Sequence, residues 1–221
     1  MNIKTKISLI FWGICASCYA QTPFTCHVKL DKPFHGKVIV AKIIDRLTGL
    51  DTLEVSGTDF TIKHNIQQAE EYRIISRPYT FDASVLAQPG CHYQISVNGR
   101  ETDITTTDGK EQNLYSELQK QCAPINEEMS KVGKEYMKLK EAGKLKEAEE
   151  VLKTNNELFK KENQAKLTFV KAHPNTLAGI KAASEYLSMS YKEMNDIKNL
   201  LQDNPYKYTY SWRSFNSKYQ E

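Results

Sequence analysis

The sequence has 221 residues, with 30 basic and 27 acidic side chains and five cysteines. A chain of this length can bury a core without disulfide crosslinks. Its near balance of charge excludes the concentrated basic surface on which nucleic-acid binding depends. We therefore expect a folded protein that binds no nucleic acid.

The first 20 residues are typical of a secretory signal peptide. Lys4 and Lys6 precede an apolar stretch at residues 7–14, and small residues follow up to Ala20. The stretch is shorter than the roughly 20 residues that a membrane-spanning helix needs. We expect cleavage after Ala20, export to the periplasm or cell envelope, and a mature chain with 28 basic and 27 acidic residues, because both lysines leave with the signal. The alternative is lipidation of Cys18. We expect the chain to attach to a membrane only in that case.

Residues 21–108 are predicted to form a β-domain. Short stretches rich in β-branched and aromatic residues alternate with turn signals such as Thr48-Gly49, without a helical pattern between them. The clearest stretches are residues 36–44, 60–63, 72–75 and 93–98. About six to eight strands at hairpin spacing predict an antiparallel β-sandwich.

Residues 109–221 are predicted to be helical, so the fold class is α+β. Apolar residues recur at steps of three and four, which places them on one face of a long helix that ends near Gly143. A second helix is expected over residues 145–172, and the short connection predicts a long antiparallel helical hairpin. Two shorter helices are expected at residues 177–187 and 191–201. The residues of the apolar face are Leu114, Leu118, Cys122, Ile125, Met129, Val132, Tyr136 and Leu139.

The cysteines leave two interpretations open. Cys15 and Cys18 have the spacing of a redox dithiol but lie in the signal, so we expect no redox role for them. Cys26, Cys91 and Cys122 remain and cannot all pair within one molecule. Either Cys26 and Cys91 form a disulfide between neighbouring strands, or the thiols are free and buried. Cys122 falls on the apolar helix face, where a core position is expected.

No other motif indicates catalysis. The five histidines lack the spacing of metal ligands, and no phosphate-binding loop, nucleophile elbow or paired-carboxylate motif is present in the sequence. We therefore expect no catalytic residues, no cofactor and no metal, and predict that the chain is not an enzyme.

Aromatic residues are concentrated at the C-terminus. Tyrosine and tryptophan supply large contact areas with a polar group, so this segment is a candidate partner surface. The alternative is that the rings pack onto the chain's own helices. The residues are Tyr206, Tyr208, Tyr210, Trp212, Phe215 and Tyr219.

Several segments together resemble the domain of unknown function 4369 family. The matching segments are residues 24–30, 36–40, 51–52 with 60–62, the Leu86-Ala87-Gln88-Pro89-Gly90 turn before residues 93–97, and the junction at residues 169–178. The resemblance implies a β-sandwich and helices that stand ahead of a thioredoxin-like domain in exported thiol:disulfide oxidoreductases.

The chain departs from the family pattern at three places. Val28 stands where the family commonly has glycine, Gly57-Thr58 replaces an Asp-Gly turn, and His173 replaces an asparagine. The sequence also ends at Glu221, where the thioredoxin-like domain would begin, so the family's redox activity is not assigned to any residue here.

We therefore expect an exported, non-catalytic binding or accessory module of the cell envelope, associated with a separate thioredoxin-like partner. The alternative is a thiol-disulfide redox protein, or a fragment of an oxidoreductase, that uses Cys26, Cys91 or Cys122. A third interpretation is a truncated remnant of a longer gene.

Overall fold

The computed structural model of the chain describes residues 22–44, 46–99, 101–185 and 189–218. Within these ranges six strands precede five helices, which confirms the predicted α+β class. The predicted signal peptide lies outside the described residues. The strands are β1 (Thr22–Ile43), β2 (Leu47–Ile66), β3 (Glu70–Arg77), β4 (Asp82–Ala87), β5 (His92–Asn98) and β6 (Glu101–Thr106). The helices are α1 (Lys110–Glu141), α2 (Leu145–Ala172), α3 (Leu177–Ser184), α4 (Tyr191–Leu200) and α5 (Tyr210–Ser217).

The long strand β1 organises a single six-stranded sheet. One edge of β1 pairs with β2 along most of its length. The other edge pairs in parallel with β5 at residues 25–30 and antiparallel with β3 at residues 37–41. Since β4 pairs with β3, β6 pairs with β5, and β4 contacts β6, the sheet curls into a nearly closed, barrel-like form.

This topology refines the predicted antiparallel sandwich. The parallel pairing of β1 with β5 means that the sheet is mixed, while the two-layered description stays a prediction. The prediction of a turn at Thr48-Gly49 is wrong, because both residues lie inside β2. Gly36 lies just after the register shift of β1 between Lys29 and Phe34, where a Cβ atom would come within 2.3 Å of the Arg77 carbonyl oxygen. Only glycine fits there without a shift of the backbone.

The inner face of the curled sheet forms the first hydrophobic core. Alternate residues of β1 point inward, since successive side chains of a strand face opposite sides. The Phe24 ring lies 5.2 Å from that of Tyr72 and 6.3 Å from that of Tyr93, between centroids. The other buried residues of the first core include Cys26, Val28, Val38, Ile62, Ile74, Phe81, Val85, Ile95 and Val97.

The helices form a second core against the outside of β4. Leu86, at the end of that strand, is fully buried among helical side chains. The predicted apolar face of α1 contributes Leu118 and Cys122 to this core. Beyond Cys122, α1 buries no further described residue and packs against α2. With 32 residues, α1 is about 48 Å long at 1.5 Å per residue, so the distal parts of both helices extend past the second core.

The helix boundaries largely match the sequence prediction. α1 ends at Glu141, just before Gly143, whose φ of +71° suits glycine, and α2 spans the predicted residues. α5 was not predicted. It begins after Thr209, whose side-chain oxygen accepts a hydrogen bond from the Trp212 backbone N–H.

Candidate functional site

The three described cysteines are free thiols in separate environments. Cys26 is buried in the first core, and burial raises its pKa to about 12. Cys91 is half-buried, and its Sγ lies 3.4 Å from the Asp108 carbonyl oxygen. Burial, followed by the negative charge of Asp108, raises the pKa of Cys91. Burial and the nearby carboxylates also raise the pKa of Cys122.

These thiols are poorly suited to redox chemistry. The reactive form of cysteine is the thiolate, and reactive sites lower the thiol pKa with nearby positive charge or a helix N-terminus. Here burial raises the pKa of all three thiols. Cys26 and Cys91 are not joined, although the strand of Cys26 pairs with the one that follows Cys91.

A cleft of about 450 Å³ lies beside Cys122, between α1 and α2. Lys166 in this cleft places its Nζ 2.9 Å from Glu162 and 2.8 Å from Glu185, while the Tyr115 hydroxyl donates to Glu185. Although burial lowers the pKa of Lys166, the two carboxylates raise it above its ordinary value overall. The ammonium is therefore held charged between its partners, so the cluster offers no free base or nucleophile.

A buried polar network connects the sheet to the helices. Glu71 on β3 accepts hydrogen bonds from Lys181 at 2.9 Å, Ser84 at 2.7 Å and Ser211 at 2.9 Å. Burial raises the pKa of Glu71, but the charge of Lys181 and these hydrogen bonds hold it below its ordinary value overall. The network thus joins β3 and β4 to α3 and α5 through one ionised carboxylate.

Glu111 makes a second connection at the start of α1. Its carboxylate accepts from the Ala178 backbone N–H at 2.9 Å and from the Tyr206 hydroxyl at 3.2 Å. Because Ala178 lies in the first turn of α3, this contact also places negative charge near a helix N-terminus, where it is stabilising.

The C-terminal aromatic residues divide between interior and surface positions. Phe215 is fully buried in the second core, while Tyr206 and Trp212 pack against that core. The Tyr208 hydroxyl donates to the Ala69 carbonyl oxygen at 2.6 Å, although much of its ring is exposed. Tyr210 is half-buried. Tyr219 lies outside the described residues.

The most exposed apolar stretch of a described strand lies instead on β2. Leu47, Leu50 and Leu53 are 45, 39 and 41 % exposed. β2 pairs with β1 along one edge, and no other strand in the described ranges pairs with its second edge. We call residues 47–59 of β2 the edge surface. Next to it, the Arg213 side chain donates to the Ile44 carbonyl oxygen at 2.8 Å and so ties this end of the sheet to α5.

The edge surface is acidic. Residues 47–59 contain three carboxylates and no lysine or arginine. Among the described residues, the ion-pair partners of these carboxylates belong to β1 or to the far end of β2. They are His64 at 3.7 Å from Asp51, Lys37 at 3.6 Å from Glu54 and His27 at 3.4 Å from Asp59.

Sequence reasoning missed this surface for a structural reason. A half-buried strand is recognised by alternation with a period of two. The register with β1 shifts between Val40 and Ala41, opposite Asp51 and Gly49, which leaves Leu50 as an extra residue. In the sequence the three leucines stand at every third residue, a spacing that does not indicate a strand.

The described residues also lack two other kinds of site. They contain no group of three or more side chains able to hold a metal ion. Among the described helices, none combines the length and apolar character that a bilayer crossing needs.

Comparisons with family models, with curated proteins and with solved structures found no match to this chain, so the resemblance to the domain of unknown function 4369 family stays a prediction.

Proposed function

We propose that this chain is an exported, non-catalytic binding or accessory module of the cell envelope that supports a separate thioredoxin-like partner. The observation that carries the proposal is the edge surface, where three leucines are exposed on a strand with one edge that no described strand pairs with. Unpaired strand edges are typical of protein interaction sites, and exposed apolar side chains beside such an edge add contact area. Leu47 pairs with Ile43 and Leu53 with Val38, so these two leucines flank the edge on opposite faces of the sheet. Export and the identity of the partner rest on the signal-like N-terminus and on the family resemblance.

The chemistry of the described side chains supports binding over catalysis. The thiols have raised pKa values, and the largely buried lysines Lys166 and Lys181 are both paired with carboxylates of the same chain. Every buried side-chain nitrogen and oxygen in the described ranges has a hydrogen-bond partner. Such satisfied groups stabilise the fold. Among the described strands β2, β4 and β6 each have one edge without a partner strand, and β2 offers the longest such edge, with 20 residues against six in each of the other two.

The finer description of the fold belongs to the same proposal. The curled sheet would form the two layers of a sandwich, one containing β3 and β4 and the other β5 and β6, because β1 and β2 each extend through both layers. α1 and α2 would form an antiparallel helical hairpin, since three residues connect two helices that pack together.

A photo-crosslinking residue introduced at Leu50 tests the proposal in the cell envelope. We expect an adduct with a thioredoxin-like protein, identified by mass spectrometry. Ser96 is the matched control, because it is exposed on β5, a strand that is paired on both sides. Adducts of equal yield from both positions, or none from Leu50, would contradict the proposal.

A thiol-disulfide redox protein remains the second candidate, and one observation favours it. Cys91 is the most exposed of the three described thiols. Its raised pKa weakens this candidate, because less thiolate is present near neutral pH. Alkylation with and without reductant, together with an insulin-reduction assay, separates the two. Turnover of insulin by the purified protein would reverse our preference.

A further inference from the structure

The free edge of β2 has unused backbone hydrogen-bonding capacity. In a strand paired on one side only, about half of the N–H and C=O groups point away from the partner strand. β2 is 20 residues long, and its inner edge is occupied by β1. The outward-pointing groups of the edge surface therefore form a row that can pair with an added strand.

The two faces of the edge surface differ in chemistry. Leu53 pairs with the buried Val38, so it lies on the face of the sheet that covers the first core. Glu54 and Asp59 pair with Lys37 and Lys29 and lie on the opposite, outer face. Asp51 pairs with the buried Val40 and shares the core side with Leu53, where its carboxylate lies 3.7 Å from His64. An added strand would thus have Leu53 and the His64-paired Asp51 on its core side, and Glu54 and Asp59 on its outer side.

We infer that the edge surface binds an extended segment of a partner protein, as an added β-strand with apolar residues on one face and lysine or arginine on the other. This inference rests on the proposed function and names the chemistry of its partner. Backbone pairing supplies the affinity, and the alternation of side chains sets the register. Basic residues of the segment lie beside Glu54 and Asp59, and an apolar residue covers Leu53.

Charge distinguishes this occupant from a second copy of the chain. The edge surface has three carboxylates and no basic side chain, so pairing two copies would bring six carboxylates into one two-stranded ribbon. Like charges in facing positions destabilise a sheet. A basic segment removes this repulsion and replaces it with attraction that salt weakens.

Synthetic peptides of about eight residues, a common strand length, test the inference. The first alternates lysine and valine. The second alternates glutamate and valine, and the third has the composition of the first with its lysines in one block. We expect the purified protein to bind the first peptide alone, with an affinity that falls as salt rises.

Hydrogen exchange locates the peptide on the backbone. We expect the outward amides within residues 47–59 to exchange at least about tenfold more slowly when the first peptide is bound, because strand addition gives them acceptors. Protection elsewhere, or equal binding of the block peptide, would overturn the inference. Concentration-dependent dimerisation that protects the same amides would overturn it in favour of a second copy.

Paired variants measure the contribution of charge. In the double variant Glu54→Gln, Asp59→Asn we expect binding about two- to fivefold weaker for each carboxylate removed. The matched control is Glu101→Gln, Asp103→Asn, which removes two exposed carboxylates from β6. Equal weakening by both double variants would overturn the inference.

The inference and the proposed function fail separately. A crosslink from Leu50 to the partner without peptide protection would leave a binding module that uses side chains alone. Peptide protection without that crosslink would leave a strand-accepting edge whose partner is not thioredoxin-like.

Discussion

The sheet–helix interface and the edge surface both contain carboxylates on β-strands, but their surroundings differ. At the interface, Glu71 is buried and accepts hydrogen bonds from three side chains. On the edge surface, Asp51 and Glu54 are exposed beside leucines, on a strand with one unpaired edge. A carboxylate with a complete set of internal partners therefore holds the fold together. One beside an open strand edge remains available to another molecule.

The largest effect is expected in the helical core that the interface supports. Phe215 is fully buried there, so Phe215→Ala should lower the free energy of unfolding by about 3–5 kcal/mol through lost burial and a cavity. Urea denaturation measures the loss. Tyr210→Ala, at a half-buried position of the same helix, should cost less than half as much. Equal losses of unfolding free energy in the two variants would contradict the assignment of Phe215 to the core and of Tyr210 to a half-buried position.

Breaking the interface network should have the next largest effect. Glu71→Gln leaves Lys181 without its carboxylate partner in a largely buried position, so we expect a loss of about 3 kcal/mol in unfolding free energy. Glu54→Gln is the matched control on the edge surface, where an exposed pair should contribute less than about 0.5 kcal/mol. Similar urea midpoints for the two variants would contradict the comparison.

The same network predicts a dependence of stability on pH. The pKa of Glu71 is lower in the folded protein than its ordinary value of 4.5. Its contribution is therefore fully present above pH 4.5 and is lost as the pH falls through the folded-state pKa. The difference in unfolding free energy between the wild type and Glu71→Gln should shrink in acid. Urea denaturation across this pH range measures it, and a constant difference would contradict the assignment.

The smallest effect on stability is expected at the edge surface. Leu50→Ser removes an exposed side chain at a bulge, so the unfolding free energy should change by less than about 0.5 kcal/mol. Partner binding should nevertheless fall, which a photo-crosslinking residue at Thr52 measures as a severalfold lower adduct yield. A large loss of stability with an unchanged adduct yield would instead place Leu50 among the residues that hold the fold.

Much of the helical region could be predicted because its signals are local. Side chains three and four residues apart share a helix face, so the apolar positions of α1 are visible in the sequence. Gly143 likewise marks the end of that helix within one turn of chain. α5 escaped prediction because its start depends on a single Thr209 cap within an aromatic stretch.

The candidate site could not be predicted in the same way. Whether β2 has a neighbour on its second edge depends on how five other strands arrange themselves, which no local pattern encodes. The bulge at Leu50 also depends on the partner strand, because it exists only relative to the register of β1.

The amino-acid sequence by itself determined the α+β class and the extents of the two long helices. Each of these follows from the periodicity of neighbouring side chains. Tertiary structure alone decided that β1 pairs in parallel with β5, that the aromatic residues divide between core and surface, and that one edge of β2 has no partner among the described strands. These features depend on contacts between residues far apart in the chain, and those contacts exist only once the chain has folded.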